Sequence, residues 1–225
     1  MLSLSDLKKK IEDCENFSFV KLGDGEMLAM MGAQGQNCDG QVYSPQLGSD
    51  LRSAFRSLGA QPNVFITRWK LGMEDEIDFL EGDLGIACTE DHDLLLNRIL
   101  SQENYDFWNA VKESKRRKIF VGPERLLFDV VSFLTIDIGL VVPIKNSFSF
   151  KYKKNFALEK KPEDNDIFLF SAGMPSKIWI ADLLEKNPNI TCLDCGSAFD
   201  PIFVGQTRTN QKSQAELQNY FKNLL

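Results

Sequence analysis

The chain has 225 residues, a formal net charge of −6 at pH 7 and 43% hydrophobic residues. This composition suffices for one domain with a full hydrophobic core that needs no disulfide or metal scaffold. The acidic balance argues against a dedicated non-specific nucleic-acid binder, whose affinity comes mainly from neutralised phosphates. The single histidine, His92, excludes multi-histidine metal sites and most histidine-based catalytic triads.

Targeting and membrane segments are not expected from the sequence. No apolar stretch is long enough to span a bilayer, and the first residues lack the basic and apolar regions of a signal peptide. We therefore expect a cytoplasmic protein. Five cysteines are scattered along the chain. Cys192 and Cys195 have CxxC spacing, but no second pair completes a zinc site, and Cys192 lies within an apolar, strand-like run, which favours a buried thiol over metal or redox chemistry.

Short apolar segments alternate with longer amphipathic ones. Ser3 and Asp6 predict a capping box for a first helix that runs to about Cys14. Strands are predicted over Phe17–Gly23, Val64–Trp69, Leu84–Thr89, Lys118–Gly122, Leu140–Ile144, Asp166–Ala172 and Ile190–Cys195. The other predicted helices are a short one from Gly23 to Met31, then Pro45–Leu58, His92–Ser114, Glu124–Thr135, Pro175–Lys186 and Gln211–Leu225.

Several predicted strands are apolar nearly throughout, which is typical of strands covered on both faces of a parallel sheet. The alternation predicts an α/β, Rossmann-like sandwich with a mostly parallel central sheet flanked by helices. We expect a single domain over residues 1–225, with a lid or insertion around the loop-like segment 145–165. Ligands of such sheets bind beyond the carboxyl ends of the strands, so the candidate residues are sought there.

An acidic run, Gly23-Asp24-Gly25-Glu26, follows the first predicted strand. The carboxylates of Asp24 and Glu26 can bind one hard cation, and the glycines let the backbone approach a diphosphate. A divalent cation there would neutralise charge on a nucleotide-diphosphate leaving group. The run is also consistent with an acidic helix start that only complements the helix dipole.

Other carboxylates and one arginine lie in predicted turns. Asp39, in the turn Asn37–Gly40, is either a substrate ligand or base, or part of an Asx turn. Asp194 and Asp200 leave the last strand, where ligands bind, although Asp200 precedes a proline and can simply start a turn. Arg208 is a candidate phosphate clamp or an ordinary surface arginine.

A second helix start, in Leu169–Lys177, resembles an anion cradle built from Gly173, Ser176 and Lys177. Farther upstream, Asp91-His92-Asp93 is interpreted as a cap for the long helix, with a catalytic His92 as the alternative. The segment Lys145–Lys161 interleaves lysines with aromatic residues, which can bind a nucleic-acid strand. Its period-two aromatic alternation favours an amphipathic strand instead.

These segments, in this order, resemble the GT-D glycosyltransferases, a family first known as a domain of unknown function. Phe19–Glu26 is similar to the family's RxGDGE run with its DxE motif, although Lys21 stands where many members have arginine. The other similar segments are Asn37–Gly40, Ile119–Pro123, Val142–Phe148, Leu169–Lys177 and Leu193–Asp200. The likeness covers Phe17 to Asp200.

The resemblance implies a metal-dependent hexosyl- or pentosyltransferase that moves a sugar from a nucleotide-diphosphate sugar, a UDP-sugar, to a hydroxyl of a glycan or glycoconjugate. It assigns Asp24 and Glu26 to a divalent metal, Mn²⁺ or Mg²⁺. The expected nucleotide-sugar-binding residues are Lys21, Gly23, Asp24, Gly25, Glu26, Gly173, Ser176, Lys177 and Arg208. With histidine nearly absent, the catalytic base is expected to be a carboxylate, for which Asp39, Asp200 and Asp194 are the candidates.

Two alternatives stay open at this point. The same chemistry can act on hydroxymethylated DNA bases, as in phage DNA modification. The segment Lys145–Lys161 motivates that reading and the net charge of −6 opposes it. The third reading is a non-catalytic module that binds a nucleotide-sugar, against which the acidic run argues.

Overall fold

The computed structural model describes residues 2–68, 79–89, 91–95, 102–143 and 161–200. Its helices are α1 (Leu4–Glu12), α2 (Asp24–Met30), α3 (Pro45–Gly59), α4 (Gln102–Glu113), α5 (Glu124–Leu134) and α6 (Pro175–Lys186). Its strands are β1 (Ser18–Leu22), β2 (Val64–Arg68), β3 (Lys118–Gly122), β4 (Ile138–Val141), β5 (Ile167–Phe170) and β6 (Thr191–Asp194). A π-helix spans Phe79–Leu84.

The strands form one six-stranded sheet in the order β2-β1-β6-β5-β3-β4, and neighbouring strands pair in parallel. Strands β1, β3, β5 and β6 are buried along their whole length. The predicted α/β class with a central parallel sheet is therefore confirmed. None of the described helices has the length and apolar character needed to cross a membrane.

Helices cover both faces of the sheet, and each face has its own hydrophobic core. One core draws on α2, α3 and α6, and the other on α1, α4 and α5. Successive strand residues point to opposite faces. In β3, Ile119 and Val121 accordingly enter the first core and Phe120 the second. Because both faces need apolar side chains, the strands show almost no polar alternation.

Local signals position the helices well. Ser3 accepts a hydrogen bond from the Asp6 N–H at 3.1 Å, and Asp6 Oδ2 accepts one from the Ser3 N–H at 3.0 Å, which confirms the predicted capping box of α1. Helix α3 begins with Pro45 behind Ser44, whose hydroxyl oxygen accepts from the Leu47 N–H at 3.1 Å. These contacts satisfy amide groups that the first helical turn leaves without a partner.

The strand predicted over Leu84–Thr89 is wrong. Leu84 ends the π-helix, and what the described segment contributes to the sheet is a single parallel bridge between Thr89 and Thr67. Gly85 has a φ of +66°, a left-handed conformation that interrupts an extended backbone. The segment is apolar because Leu84 and Ile86 are buried against the first core.

The long helix predicted over His92–Ser114 is described in two parts: residues 91–95 form turns, and helix α4 begins at Gln102. Three other predictions concern residues outside the described ranges: the helix Gln211–Leu225, the phosphate clamp Arg208, and most of the segment 145–165, of which 161–165 are described.

The strand order brings the carboxyl ends of β1, β6 and β5 side by side. The turns that follow these strands hold the acidic run, the segment after Asp194 and the turn at Gly173. Three of the segments singled out in the sequence therefore meet at one edge of the sheet.

Candidate active site at the carboxyl edge of the sheet

The acidic run forms the turn from β1 into α2. Asp24, the first residue of α2, is exposed, whereas Glu26 is buried with 7% of its surface accessible. Asp24 Oδ1 accepts a hydrogen bond from the Gly25 N–H at 2.9 Å. Glu26 Oε2 accepts one from the Gly23 N–H at 3.1 Å. The two carboxylates thus occupy different environments.

Lys177, from the first turn of α6, joins this corner to the end of β6. Its ammonium group lies 2.7 Å from Glu26 Oε1 and 2.9 Å from Asp194 Oδ2. All three side chains are buried. Burial acts to lower the pKa of Lys177, but the charges of Asp194 and Glu26 outweigh it and raise that pKa above its usual value. Lys177 is therefore a permanent cation at this edge.

Lys21 adds a second buried cation. Its ammonium group donates a hydrogen bond to the Cys195 carbonyl oxygen at 2.9 Å, and its backbone N–H donates to Asp194 Oδ2 at 3.1 Å. Burial lowers the pKa of Lys21, with the charge of Asp194 acting in the opposite direction. Gly196 has a φ of +53°, and a Cβ there would overlap the Lys21 ammonium group. Glycine at 196 therefore makes room for the lysine.

When all four side chains are ionised, the formal charges of Lys21, Lys177, Glu26 and Asp194 sum to zero. We refer to these four residues as the charge cluster. A buried charge is tolerated when it is paired and hydrogen-bonded. The cluster connects the ends of β1 and β6 with the starts of α2 and α6.

The turn Asn37–Gln41 folds over the same edge. Asn37 Oδ1 accepts from the N–H groups of Asp39, at 3.0 Å, and Gln41, at 2.9 Å, so the turn is an Asx turn. Gln41 Oε1 in turn accepts from the Met174 N–H at 3.1 Å. A Cβ on Gly25 would lie 3.3 Å from the Asn37 Cβ, so that glycine allows the close approach. The half-buried Asp39 is thereby anchored next to α6.

Most donor groups of the predicted anion cradle at the start of α6 are bonded to other groups of the protein. Gly173 has a φ of +72°, and a Cβ on it would lie 2.6 Å from Gln41 Oε1. The amide of Met174 is bonded to Gln41, and the ammonium group of Lys177 to carboxylates. The Ser176 hydroxyl is buried without a hydrogen-bond partner in the described part of the chain.

The three candidate bases differ in accessibility. Asp194 is 1% exposed and belongs to the charge cluster. Asp200 is 9% exposed and lies 3.2 Å from a guanidinium nitrogen of Arg125. Asp39, on the Asx turn, is more accessible than either. Of these three, Asp39 is therefore the carboxylate that an acceptor molecule reaches most easily.

His92 lies beside the acidic run, a position that its interpretation as a helix cap did not predict. Its Nε2 is 3.6 Å from where a Cβ on Gly23 would lie, and Glu26 Oε2 is 3.0 Å from that same point. The Nδ1 atom is 3.0 Å from Asp93 Oδ1. Burial lowers the pKa of His92, which keeps its ring neutral at pH 7.

Two further residues at this edge, Gln41 and Tyr43, belong to none of the motifs identified in the sequence. The pKa of Tyr43 is raised, first by burial and then by the negative charges of Asp24 and Glu26. The influence of those charges indicates that Tyr43 is near the acidic run. Polarity close to a glycine- and asparagine-rich turn was the only local signal for either residue.

No protein-family model matches the sequence, and no curated protein matches it either. Two solved structures are similar to this fold. A selenomethionine-substituted structure of domain of unknown function 1792 has a TM-score of 0.62 and 18% identity, over 96% of this chain and 87% of that one. A second structure, described as showing that this highly conserved domain has a distinct glycosyltransferase fold, has a TM-score of 0.63 and 19% identity with the same coverage.

The chain therefore has a glycosyltransferase-type fold. In particular, the fold is similar to that of domain of unknown function 1792, a domain described as having a distinct glycosyltransferase fold. The similarity extends over nearly the whole chain, and it confirms the fold that the sequence resemblance implied.

Proposed function

We propose that the protein is a glycosyltransferase that moves a sugar from a nucleotide-diphosphate sugar to a hydroxyl acceptor. The observation that supports this proposal most directly is an exposed acidic residue, Asp24, beside the buried charge cluster at the carboxyl edge of the sheet. Ligands of parallel α/β sheets bind at this edge. The glycosyltransferase-type fold supports the same chemistry.

Asp24 fits a divalent cation that is shared with the diphosphate of the donor. Carboxylate oxygen suits Mg²⁺ and Mn²⁺. Mg²⁺ commonly binds through one or two carboxylates and the phosphates of a substrate, so a protein cage is not required. Among the described residues there is no group of three His, Cys, Asp or Glu side chains that could hold a metal. When bound, the ion would neutralise charge on the leaving diphosphate.

A UDP-sugar is the donor that the sequence resemblance implies. We propose Asp39 as the residue that accepts the proton of the attacking hydroxyl, because it is the most accessible of the three candidate carboxylates. A carboxylate within hydrogen-bond reach of the hydroxyl can take its proton as the new glycosidic bond forms. Asp194 and Asp200 are instead proposed to support the edge through their ion pairs.

The test compares Asp24→Asn with a matched control, Glu124→Gln. Glu124 begins α5 after β3, as Asp24 begins α2 after β1, and both residues are exposed. We expect Asp24→Asn to reduce manganese-dependent release of UDP from UDP-sugars by about 100-fold, as for loss of one electrostatic group at a reaction centre. The control variant should keep wild-type turnover.

The assay uses a panel of UDP-sugars with glycan acceptors and measures UDP formation together with the melting temperature. Near-wild-type turnover of Asp24→Asn in the presence of manganese would contradict the proposed role of Asp24 as the carboxylate that binds the cation. A wild-type protein that binds UDP but turns over none of the donors would instead support a non-catalytic binding module.

A further inference from the structure

Both oxygens of the Glu26 carboxylate have partners inside the protein. Oε1 is 2.7 Å from the Lys177 ammonium group, and Oε2 accepts the Gly23 N–H at 3.1 Å. The side chain is buried. A cation bound to Glu26 would lie close to the Lys177 ammonium group, and the repulsion between the two positive charges would weaken both contacts.

The ammonium group of Lys177 also has its partners inside the protein. A lysine ammonium group has three N–H donors, and three oxygen atoms surround this one. They are Glu26 Oε1 at 2.7 Å, Asp194 Oδ2 at 2.9 Å and the Gly173 carbonyl oxygen at 3.5 Å. Lys177 therefore has two close carboxylate partners, its third neighbouring oxygen lies at the limit of hydrogen-bond distance, and the side chain is only 4% exposed.

Helix geometry separates Asp24 from Glu26. Both residues belong to α2. Two positions along a helix correspond to a rotation of about 200° around its axis, so the two side chains point to nearly opposite sides. Asp24 faces solvent, whereas Glu26 points to Lys177. As long as this turn stays helical, the two carboxylates do not converge on one ion.

We propose that Glu26 and Lys177 are a positioning pair that ties the start of α2 to the end of β6, and that Asp24 is the carboxylate of the run that binds the cation. This inference rests on the proposed function, because it assumes that the edge binds a divalent cation with a nucleotide diphosphate. The sequence resemblance assigned metal binding to both Asp24 and Glu26, whereas this inference keeps that role for Asp24 and gives Glu26 a positioning role.

The experiment measures UDP binding to the full chain by calorimetry, with and without Mn²⁺, for the wild type, Asp24→Asn and Glu26→Gln. Asp24→Asn should reduce the gain in UDP affinity that Mn²⁺ provides by about tenfold or more. Glu26→Gln should weaken UDP binding in both conditions alike and change the manganese-dependent gain by less than about threefold. A purely structural role of Glu26 would lower the melting temperature and leave UDP affinity unchanged.

A second measurement tests the pair itself. Lys177→Met leaves two buried carboxylates without their common cation, and it should lower the melting temperature. Adding Glu26→Gln removes one of these charges and should recover part of the loss, because the two substitutions act on one contact. The single variant Lys177→Arg keeps the charge and should retain the manganese-dependent gain.

The outcomes separate the two proposals. If the wild type shows no manganese-dependent UDP binding, the proposed function fails and the inference fails with it. If the wild type shows it but Glu26→Gln loses the gain as completely as Asp24→Asn, the function stands and the positioning pair is wrong. The pair is equally contradicted if the double variant is no more stable than Lys177→Met.

Discussion

Two buried cations at opposite edges of the same sheet have different surroundings. At the amino edge, the guanidinium group of Arg116 donates to neutral oxygens: the Asn165 carbonyl at 2.6 Å, Asn16 Oδ1 at 2.6 Å and Thr191 Oγ1 at 2.7 Å. At the carboxyl edge, Lys177 lies between two carboxylates. Both cations are less than a tenth exposed. One is therefore embedded in neutral dipoles and the other in opposite charges.

The different surroundings of Arg116 and Lys177 indicate a structural role for the amino edge and a functional role for the carboxyl edge. Each guanidinium nitrogen of Arg116 donates a hydrogen bond. The acceptors lie at or just before the starts of β1, β5 and β6, so Arg116 holds the starts of these three strands together. At the carboxyl edge, Asp194 Oδ1 and the hydroxyls of Ser171 and Ser176 are buried without hydrogen-bond partners in the described ranges, whereas at the start of β1 the same holds for the Ser18 hydroxyl. Native proteins leave few buried polar groups unsatisfied, and each one needs a physical account, either a functional role or a bound ion or water.

The largest effect should come from breaking the amino edge. Arg116→Met removes several charged hydrogen bonds. It takes the guanidinium donor from the Asn165 carbonyl oxygen and leaves Asn16 Oδ1 and Thr191 Oγ1 with only their longer contacts, at 3.4 and 3.5 Å. We expect a loss of about 3 kcal/mol or more in the free energy of unfolding, measured by urea denaturation. UDP affinity per folded molecule should not change, since the substitution is at the edge opposite the candidate site.

The neighbouring Arg117 provides the control. Its guanidinium group is more accessible and pairs with Asp166 at 2.6 Å and Glu163 at 2.8 Å. Asp166 is buried, whereas the Glu163 side chain is 67% exposed, so Glu163→Gln removes only the exposed ion pair of Arg117. This substitution should cost about 1 kcal/mol or less, as for exposed ion pairs. Equal costs for Arg116→Met and Glu163→Gln, or a loss of UDP affinity in Arg116→Met, would contradict the division between the two edges.

An intermediate effect is expected from Gly173→Ala, compared with Gly32→Ala. Both glycines have positive φ angles, +72° and +80°, where a Cβ costs about 1–2 kcal/mol. A Cβ on Gly32 meets nothing within 4 Å, whereas one on Gly173 would lie 2.6 Å from Gln41 Oε1. Gly173→Ala should therefore cost about 1 kcal/mol more than Gly32→Ala, because Gln41 must move away from the Met174 N–H.

Urea denaturation gives both free energies, and UDP calorimetry adds a second comparison. We expect UDP affinity to fall in Gly173→Ala, since the Asx turn that carries Asp39 is anchored there, and to stay unchanged in Gly32→Ala. Identical behaviour of the two variants would show that the contact between Gln41 and the start of α6 has no role in the site.

The smallest effect concerns pH. Burial lowers the pKa of His92 in the folded state below its ordinary value of 6.5. As the pH falls below 6.5, the unfolded chain takes up a proton that the folded chain does not, so stability decreases on acidification. The slope from one such group is at most about 1.4 kcal/mol per pH unit.

The measurement is the free energy of unfolding at several pH values between 5.5 and 7.5, about the titration range of an ordinary histidine, for the wild type and His92→Gln. Because His92 is the only histidine, the difference between the two curves isolates its contribution. The wild type should lose more stability than the variant below pH 6.5. Parallel curves would show that His92 is not buried beside the acidic run as the structure has it.

Much of the architecture follows from local patterns. The capping box at Ser3, the proline start of α3 and the apolar strands were predictable because each depends on neighbours within one turn or on a fully buried strand. The segment Leu84–Thr89 misled the prediction because a short apolar run is compatible with any buried conformation. Its left-handed Gly85 decided against an extended strand.

The sequence by itself determined that an acidic, glycine-containing turn follows the first strand of a parallel α/β sheet, since hydrophobic pattern and turn residues are local properties. The tertiary structure decided how the charges are shared. It paired Lys177 with Glu26 and Asp194, left Asp24 exposed and brought His92 beside the turn. Contacts of this kind join residues that are distant along the chain. They leave no periodic trace in the sequence and depend on the order in which the strands assemble.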